Sequence, residues 1–326
     1  MHAPVIAPSF LVSYSILSAI GAPANLLAII ILSRGRCNLS PCITFYLVAI
    51  AVTDFFFIIT AVILNRISRI YFRESVLSTT PVCTLSVVLV YATRDCSIWL
   101  TVAFTIDRFV AICCQKLKTR YCTEKTASLV IGIVCALCCV KNIPCYFIYE
   151  PLYILDGVSW FCNIKSNYYV WPAWQAYDWL FQIYTPSLPF FVILMLNVLT
   201  IRQIMVANRA RRRLRVTEKQ QDPEMAHRKR SIILLFAISL SFLLLWAPLV
   251  GHFIYVRLKT QSYFGGLDFS DPQYIFQETT NTVQLFSSCN NVFIYAISQN
   301  LFRKELISLL MYPFATVTNF FKRRVE

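Results

Sequence analysis

Seven stretches of this chain are long and apolar enough to cross a bilayer, at about 8–33, 40–66, 80–114, 126–149, 176–205, 230–256 and 273–298. A hydrocarbon core about 30 Å thick takes about 20 residues of helix. Backbone polar groups in lipid must be satisfied within such a crossing or within a closed barrel. Seven apolar runs joined by short segments therefore point to an all-α membrane protein, a seven-transmembrane helix bundle over residues 1–298. Composition agrees: 57% of the 326 residues are hydrophobic and only 14% charged, whereas soluble domains carry about 25% charged residues. With 7 glycines and 14 prolines, low complexity and a long flexible tail are not expected. The segment 299–326 opens with NLFRKELISLLM, which sets Leu301, Phe302, Leu306, Leu309 and Leu310 against Arg303, Lys304 and Glu305. That pattern predicts a short amphipathic helix 8 lying at the interface, followed by a tail.

The formal charge of +14 would suit nucleic acid, but its distribution argues against such a partner. Of the 30 Lys and Arg residues, 22 fall in about 34–39, 115–125, 202–230 and 299–326, with Arg108 at the edge of that set. Arg66, Arg69, Arg73, Lys165, Arg257 and Lys259 fall on the other side. The excess of cations marks the cytoplasmic face, so the N-terminus is expected outside and the C-terminus inside. The sequon Asn38-Leu39-Ser40 then lies inside and should be unglycosylated. The opening MHAPVIAPSF has no basic n-region, and the first span is expected to serve as an uncleaved insertion signal. The basic stretch 208–230 reads equally as a solvated loop beside anionic lipid and as a docking segment for a partner.

Several residues inside the apolar runs need a physical reason. Asp107–Arg108, in TVAFTIDRFVAICC, is a charged pair that is costly unless it sits at the membrane edge or faces a protein cavity. Asp54 falls mid-membrane, and Arg94 and Asp95 fall within the third span. Pro248 removes a backbone donor from the sixth span and should kink it. Phe242 and Trp246 are four apart and share a helix face. Of the 13 cysteines, Cys96, Cys113, Cys114, Cys135, Cys138, Cys139 and Cys289 lie in apolar runs and are expected to act as small buried hydrophobes. Paired CxxC spacing of a zinc site is lacking.

In order, the spans carry Gly21 and Asn25 in GAPANLL, Asp54 in LVAIAVTD, Cys83 and Arg108 at the two ends of the third, Pro189 in LPFFVILMLN, Phe242, Trp246 and Pro248 in FLLLWAP, and Asn291 to Tyr295 in NNVFIY. Together these motifs resemble the rhodopsin-like (class A) G-protein-coupled receptors. The 25 residues from Cys83 to Arg108 span about 37 Å of helix, which puts Cys83 outside and Arg108 inside. The resemblance implies a Cys83–Cys162 disulfide on the oxidising face; two unpaired thiols are the alternative. It implies no cofactor beyond an allosteric Na+ held by Asp54, Ser97, Ser288 and Asn291, against the plainer reading of a protonated, hydrogen-bonded Asp54. It implies that Asp107, Arg108, Asn197, Phe242, Trp246, Pro248, Asn291 and Tyr295 form the switch that admits a heterotrimeric G protein. The chain departs from the family at Val292, where a proline is usual, at Asn197, where a tyrosine is common, and in a fourth span without tryptophan that has Pro144 near its end. The foot of the sixth span reads His227, Arg228, Lys229, Arg230 in place of an acid. A weak restraint on Arg108 and appreciable basal signalling are therefore expected.

No acid stands at Val90, which argues against an amine receptor. Arg94 offers a fork for a ligand carboxylate, and Asp95 an anion for an ammonium. Tyr91, Trp246, His252 and Phe253 would supply an aromatic wall, a combination suited to a small aromatic zwitterion or a peptide end. The alternative is that Arg94 and Asp95 satisfy each other. LSRGRCNLSPCIT, VILNRI, DRFVAICCQKLKTRYCTEKTA, YFIYEP, WFCNIK, DPEM and FIYAISQNLFR are further similar to the G-protein coupled receptor 139 family. That is an orphan group near the neuropeptide-type receptors. This resemblance implies sensing of aromatic amino acids or related peptides at the plasma membrane and coupling through Gq/11. A chemosensory receptor of the same fold is the second reading. A transporter is disfavoured because there is no internal repeat and no pair of interrupted spans. An enzyme is disfavoured because His2, His227 and His252 are the only histidines and cannot gather at one site.

Overall fold

The computed structural model describes residues 8–214, 223–258 and 271–311. Among them are seven long helices: α1 (Pro8–Ser33), α2 (Pro41–Ile67), α3 (Thr80–Cys113), α4 (Glu124–Ile148), α5 (Pro172–Arg209), α6 (Pro223–Leu258) and α7 (Pro272–Ser298). A shorter α8 covers 300–311. Prolines 41, 81, 172 and 272 stand in the first turns of four of them, where their missing N–H costs nothing. The Thr123 hydroxyl caps α4 by accepting from the Thr126 amide at 3.2 Å.

The outer faces are apolar. Leu129, Ile133, Leu137 and Val140 are exposed along α4, and Phe191, Leu194, Met195 and Val198 along α5, at the three-to-four spacing of one helix face. Such stripes belong in lipid. Six of the long helices are apolar enough to cross a membrane by composition alone. α7 has the length, 27 residues, but is more polar. It buries Glu278, Thr280, Gln284 and Ser288 and exposes Ile275, Phe276, Phe286, Phe293 and Ile297. Its polarity points into the bundle, so it completes a seven-transmembrane fold.

α3 is the central pillar, touching α2, α4, α5 and α6. Of its most apolar stretch 61% is buried, against 17% for peripheral α4. Several elements differ from the spans read in the sequence. α4 stops being regular at Asn142 and tightens into a 3₁₀ turn, Ile143–Ile148, because Pro144 cannot continue the ladder. α5 starts earlier, at Pro172, and its helix runs on to Leu214. It is interrupted where Thr185 leaves helical geometry (φ −145°, ψ 118°). α2 widens into a π-type turn over Ile59–Ile67. Among the cysteines expected to be buried, Cys96, Cys138 and Cys289 are, whereas Cys113, Cys114 and Cys135 are half-buried and Cys139 is exposed.

One end of the bundle carries a small hairpin between α4 and α5. β1 (Tyr149–Glu150) pairs with β4 (Asn163–Ile164), and β2 (Tyr153–Leu155) with β3 (Val158–Trp160), all antiparallel. Asp156 and Gly157 turn the chain with positive φ of 50° and 74°, the combination that a two-residue type I′ turn demands. The hairpin is fixed to the first turn of α3 by the Cys83–Cys162 disulfide and by the Thr80 hydroxyl donating to the Phe161 carbonyl at 2.6 Å. At the opposite end, α8 buries Phe302 against Tyr295, ring centroids 5.8 Å apart. It leaves Ile307, Leu310 and Met311 exposed.

Gly21 marks the closest approach of α1 to its neighbours. A Cβ there would collide with the Cys289 sulfur on α7 and come within 2.8 Å of Ile58 Cδ1 on α2. Overpacking of this kind costs about 1–3 kcal/mol. We expect Gly21→Ala to lower the thermal midpoint of the detergent-solubilised protein. Adding Cys289→Ala, which removes the colliding sulfur, should restore part of the loss.

Candidate functional site

α3 carries buried polar side chains at three heights, and each meets partners from other helices. At the end opposite the hairpin, Arg108 is only 5% exposed. Its Nε donates to Asp107 Oδ2 at 2.9 Å, its Nη2 donates to the same oxygen, and its Nη1 donates to the Ser231 hydroxyl of α6 at 3.2 Å. The Cys42 thiol of α2 donates to Asp107 Oδ1 at 3.1 Å. The Cys122 thiol lies 3.6 Å from the Asp107 carbonyl. Burial, and then the charge of Asp107, push the Cys122 thiol up to about 12, so it stays a neutral donor. The side chains of His227, Arg228 and Arg230 lie outside the described residues, and Lys229 is exposed. Among the described residues, the partner that α6 offers Arg108 is the Ser231 hydroxyl.

Midway along the bundle, Asp54 is fully buried. The Ser97 hydroxyl donates to its Oδ1 at 2.5 Å and Asn291 Nδ2 to its Oδ2 at 2.8 Å. A small cavity adjoins it, lined by Asp54, Ser97, Thr101, Phe242, Trp246 and Ser288 among others. Phe242 and Trp246 are stacked, 5.3 Å apart, and Trp246 Nε1 donates to Ser287 of α7 at 3.3 Å. Pro248 follows within α6. Asn197 accepts from the Ser239 hydroxyl at 2.9 Å, joining α5 to α6. The Tyr295 hydroxyl is buried without a hydrogen-bond partner among the described residues.

Toward the hairpin, Asp95 is completely buried. It is held by Lys141 Nζ at 2.5 Å, Asn142 Nδ2 at 2.9 Å and, more loosely, Arg94 Nη2 at 3.3 Å. Lys141 lies over the rings of Phe181 and Tyr184, at 4.2 and 4.7 Å. Arg94 lies over Tyr91 and Phe181, at 5.0 and 5.6 Å, and its side chain keeps 14% exposure. The aromatic wall expected from the sequence is not assembled in one place. Tyr91 packs against α5 and lines a cavity near the hairpin, whereas Trp246 lines the Asp54 cavity. His252 is edge-on to Phe276, and Phe253 to Trp179. With three donors and no exposure, Asp95 acts as the internal counter-ion of Lys141 and Arg94 rather than as an open anion.

The sequence profile described as "7 transmembrane receptor (rhodopsin family)" matches residues 24–295. The chain belongs to that family. The receptor is similar to the FMRFamide receptor of Drosophila melanogaster, at 26% identity over 96% of this chain and 54% of the other. It is also similar to galanin receptor 2a of Danio rerio, at 24% identity over 89% of this chain and 75% of the other. It thus spans about half the length of the FMRFamide receptor.

Sequence reasoning missed several partners in this receptor. Lys141 is the lone cation of the apolar run 126–149, and that solitude was a readable signal for a buried acid. Ser231, Cys42 and Cys122 carry no such signal. Also missed was a triad near the hairpin end. Glu278 of α7 accepts from the Tyr14 hydroxyl of α1 at 2.5 Å and from Arg66 of α2 at 2.7 Å, and Arg66 lies 4.5 Å over the Tyr14 ring. The sequence places Arg66 at the outer end of the second span. The wide turn in α2 keeps it within the helix.

Removing one partner of a buried ionic cluster costs about 3–5 kcal/mol, whereas replacing the pair by apolar groups is often neutral. We expect Asp95→Asn to reduce the amount of folded receptor at the cell surface sharply, read by antibody staining of a tagged N-terminus. The double variant Asp95→Leu with Lys141→Met should recover most of it.

Proposed function

We propose that this receptor is a ligand-operated switch, without catalytic chemistry of its own, that activates a heterotrimeric G protein at the Arg108 end of the bundle. The observation that carries the reading is the hydrogen bond from Arg108 to the Ser231 hydroxyl, the tie to α6 found among the described residues. It ties α3 to α6 at the place where outward movement of α6 would open a cavity. The excess of basic residues near that end supports a cytoplasmic placement, with the hairpin and N-terminus outside and the receptor in the plasma membrane. The relatives named for FMRFamide and galanin support a peptide-type ligand. A small aromatic amino acid as ligand, and coupling through Gq/11, rest on the similarity of the shorter motifs to the G-protein coupled receptor 139 family. Arg94 is the group assigned to a ligand carboxylate, since it is the partly exposed and loosely held member of its cluster. An allosteric Na+ fits the middle layer: Asp54, Ser97 and Ser288 offer a carboxylate and hydroxyl oxygens beside the cavity, and Asn291 an amide. Bound there, the ion would neutralise Asp54 and favour the packing of Phe242 on Trp246.

A hydrogen bond to a charged group contributes about 1.5–3 kcal/mol, which corresponds to about a tenfold or larger change in a two-state ratio. At matched surface expression, Ser231→Ala should raise basal G-protein activation about tenfold, measured by nucleotide exchange in membranes. Arg108→Ala should abolish the agonist response. Equal basal exchange in Ser231→Ala and the parent would overturn this account of the restraint.

In a calcium-mobilisation screen of amino acids and short amidated or free-acid peptides, Arg94→Ala should weaken the potency of a carboxylate-bearing agonist at least tenfold, in keeping with a lost charge-assisted hydrogen bond. Unchanged potency at normal surface expression would remove Arg94 from ligand recognition.

A further inference from the structure

A small cavity lies near the hairpin between α3, α4 and α5, apart from the Asp54 layer. Its wall is built from Tyr91, Tyr149, Tyr168, Tyr177 and Phe181, with Asp178 and Gln182 at one side and Cys145, Ile148 and Ile164 filling the rest. Asp178 is the one charged side chain among the lining residues. The two nearby cations do not line the cavity. Lys141 and Arg94 both direct their charge to the buried Asp95.

The tyrosine hydroxyls are engaged with protein groups. Tyr91 and Tyr149 hydroxyls are 3.4 Å apart, Tyr177 donates to the Lys141 carbonyl at 3.2 Å, and Tyr168 donates to Asp178 Oδ1 at 3.2 Å. What these residues add to the wall is mainly aromatic ring. Trp174 braces the group, with its ring 5.9 Å from Tyr168 and 5.8 Å from Tyr177. The hairpin supplies Tyr149 and Ile164 from two paired strands, and the Cys83–Cys162 disulfide fixes it to α3. The rings are therefore held in place before any ligand arrives, which lowers the entropic cost of binding.

Several aromatic rings around one carboxylate form the kind of arrangement that attracts an organic cation. Ring quadrupoles attract a desolvated cation, and the carboxylate contributes a charge-assisted bond. We propose that this cavity is a binding site for an organic ammonium or guanidinium group on an apolar body, with Asp178 as its counter-ion and Tyr91, Tyr149, Tyr168 and Tyr177 as its cage. The site is independent of the ligand carboxylate assigned to Arg94 and of coupling to a G protein.

The test uses purified full-length receptor in nanodiscs, with phenethylammonium as the probe and phenethyl alcohol and 3-phenylpropionate as neutral and anionic comparators. Binding is read by thermal shift and by ligand-observed saturation-transfer NMR, so failure here leaves the signalling proposal untouched. Phenethylammonium should bind at least tenfold more tightly than either comparator. Asp178→Asn should remove that preference, Asp178→Glu should retain part of it, and Tyr177→Phe, which keeps the ring, should leave it intact. Equal binding of the alcohol, preference for the anion, no binding of phenethylammonium at 10 mM or below (about 2.7 kcal/mol by the affinity relation), or an undiminished preference in folded Asp178→Asn would each overturn the proposal.

Discussion

A charge buried in a membrane bundle must meet a partner on another helix, because lipid offers none. That constraint organises this receptor. Asp95 of α3 is neutralised from α4, Asp54 of α2 is bonded from α3 and α7, and Glu278 of α7 is held from α1 and α2. Each contact is short and well buried, and each joins helices distant in the chain. Together they bind α1, α2, α3, α4 and α7 into one polar-stapled frame. The loss of any one partner leaves an uncompensated group whose cost, about 3–5 kcal/mol, is a large fraction of a domain's stability.

α6 stands apart from that frame. Among the described residues its polar ties to neighbours end on neutral groups of its own: Ser231 to Arg108, Ser239 to Asn197, Ser241 to Asn290 and Trp246 to Ser287. Such bonds contribute about 1 kcal/mol each, and about 1.5–3 kcal/mol where the other partner is charged, as Arg108 is. Pro248 weakens the helix's own ladder as well. The bundle is thus stiff where ionic groups cross it and soft along one helix. This difference in contact chemistry is what the proposed movement of α6 would draw on.

Much of the frame was legible in the sequence, and the reasons for the rest are local. The apolar runs gave the helices because lipid demands about 20 residues per crossing, although α7 is held in the bundle by its buried polar face as much as by hydropathy. The Asp107–Arg108 pair and Asp54 stood out because a charge in an apolar run always asks for a partner. What the runs hid was direction. A one-residue step along a helix turns a side chain by about 100°, so Arg94 and Asp95, although they remain paired at 3.3 Å, meet different further neighbours. Asp95 is sealed against Lys141 while Arg94 stays loosely held over Tyr91 and Phe181. The wide turn of α2 and the break at Thr185 shift the faces of Arg66 and of the start of α5. No single-helix periodicity anticipates either. Ser231 and Cys42 were invisible because serine and cysteine are common in such helices and matter here only for what lies across from them.

The same arrangement limits what a ligand must supply. Moving a two-state equilibrium from one part in a hundred to ninety-nine takes about 5.5 kcal/mol of differential affinity. Three neutral hydrogen bonds to α6 at about 1 kcal/mol each, with the bond from Arg108 at about 1.5–3 kcal/mol, lie near that range. Rupture of Asp95 from Lys141, or of Glu278 from Arg66, would consume most of it in a single contact. On the proposed switch, an activating ligand would act by biasing α6 against a frame that does not yield. The ionic clusters hold the reference geometry against which that movement is made.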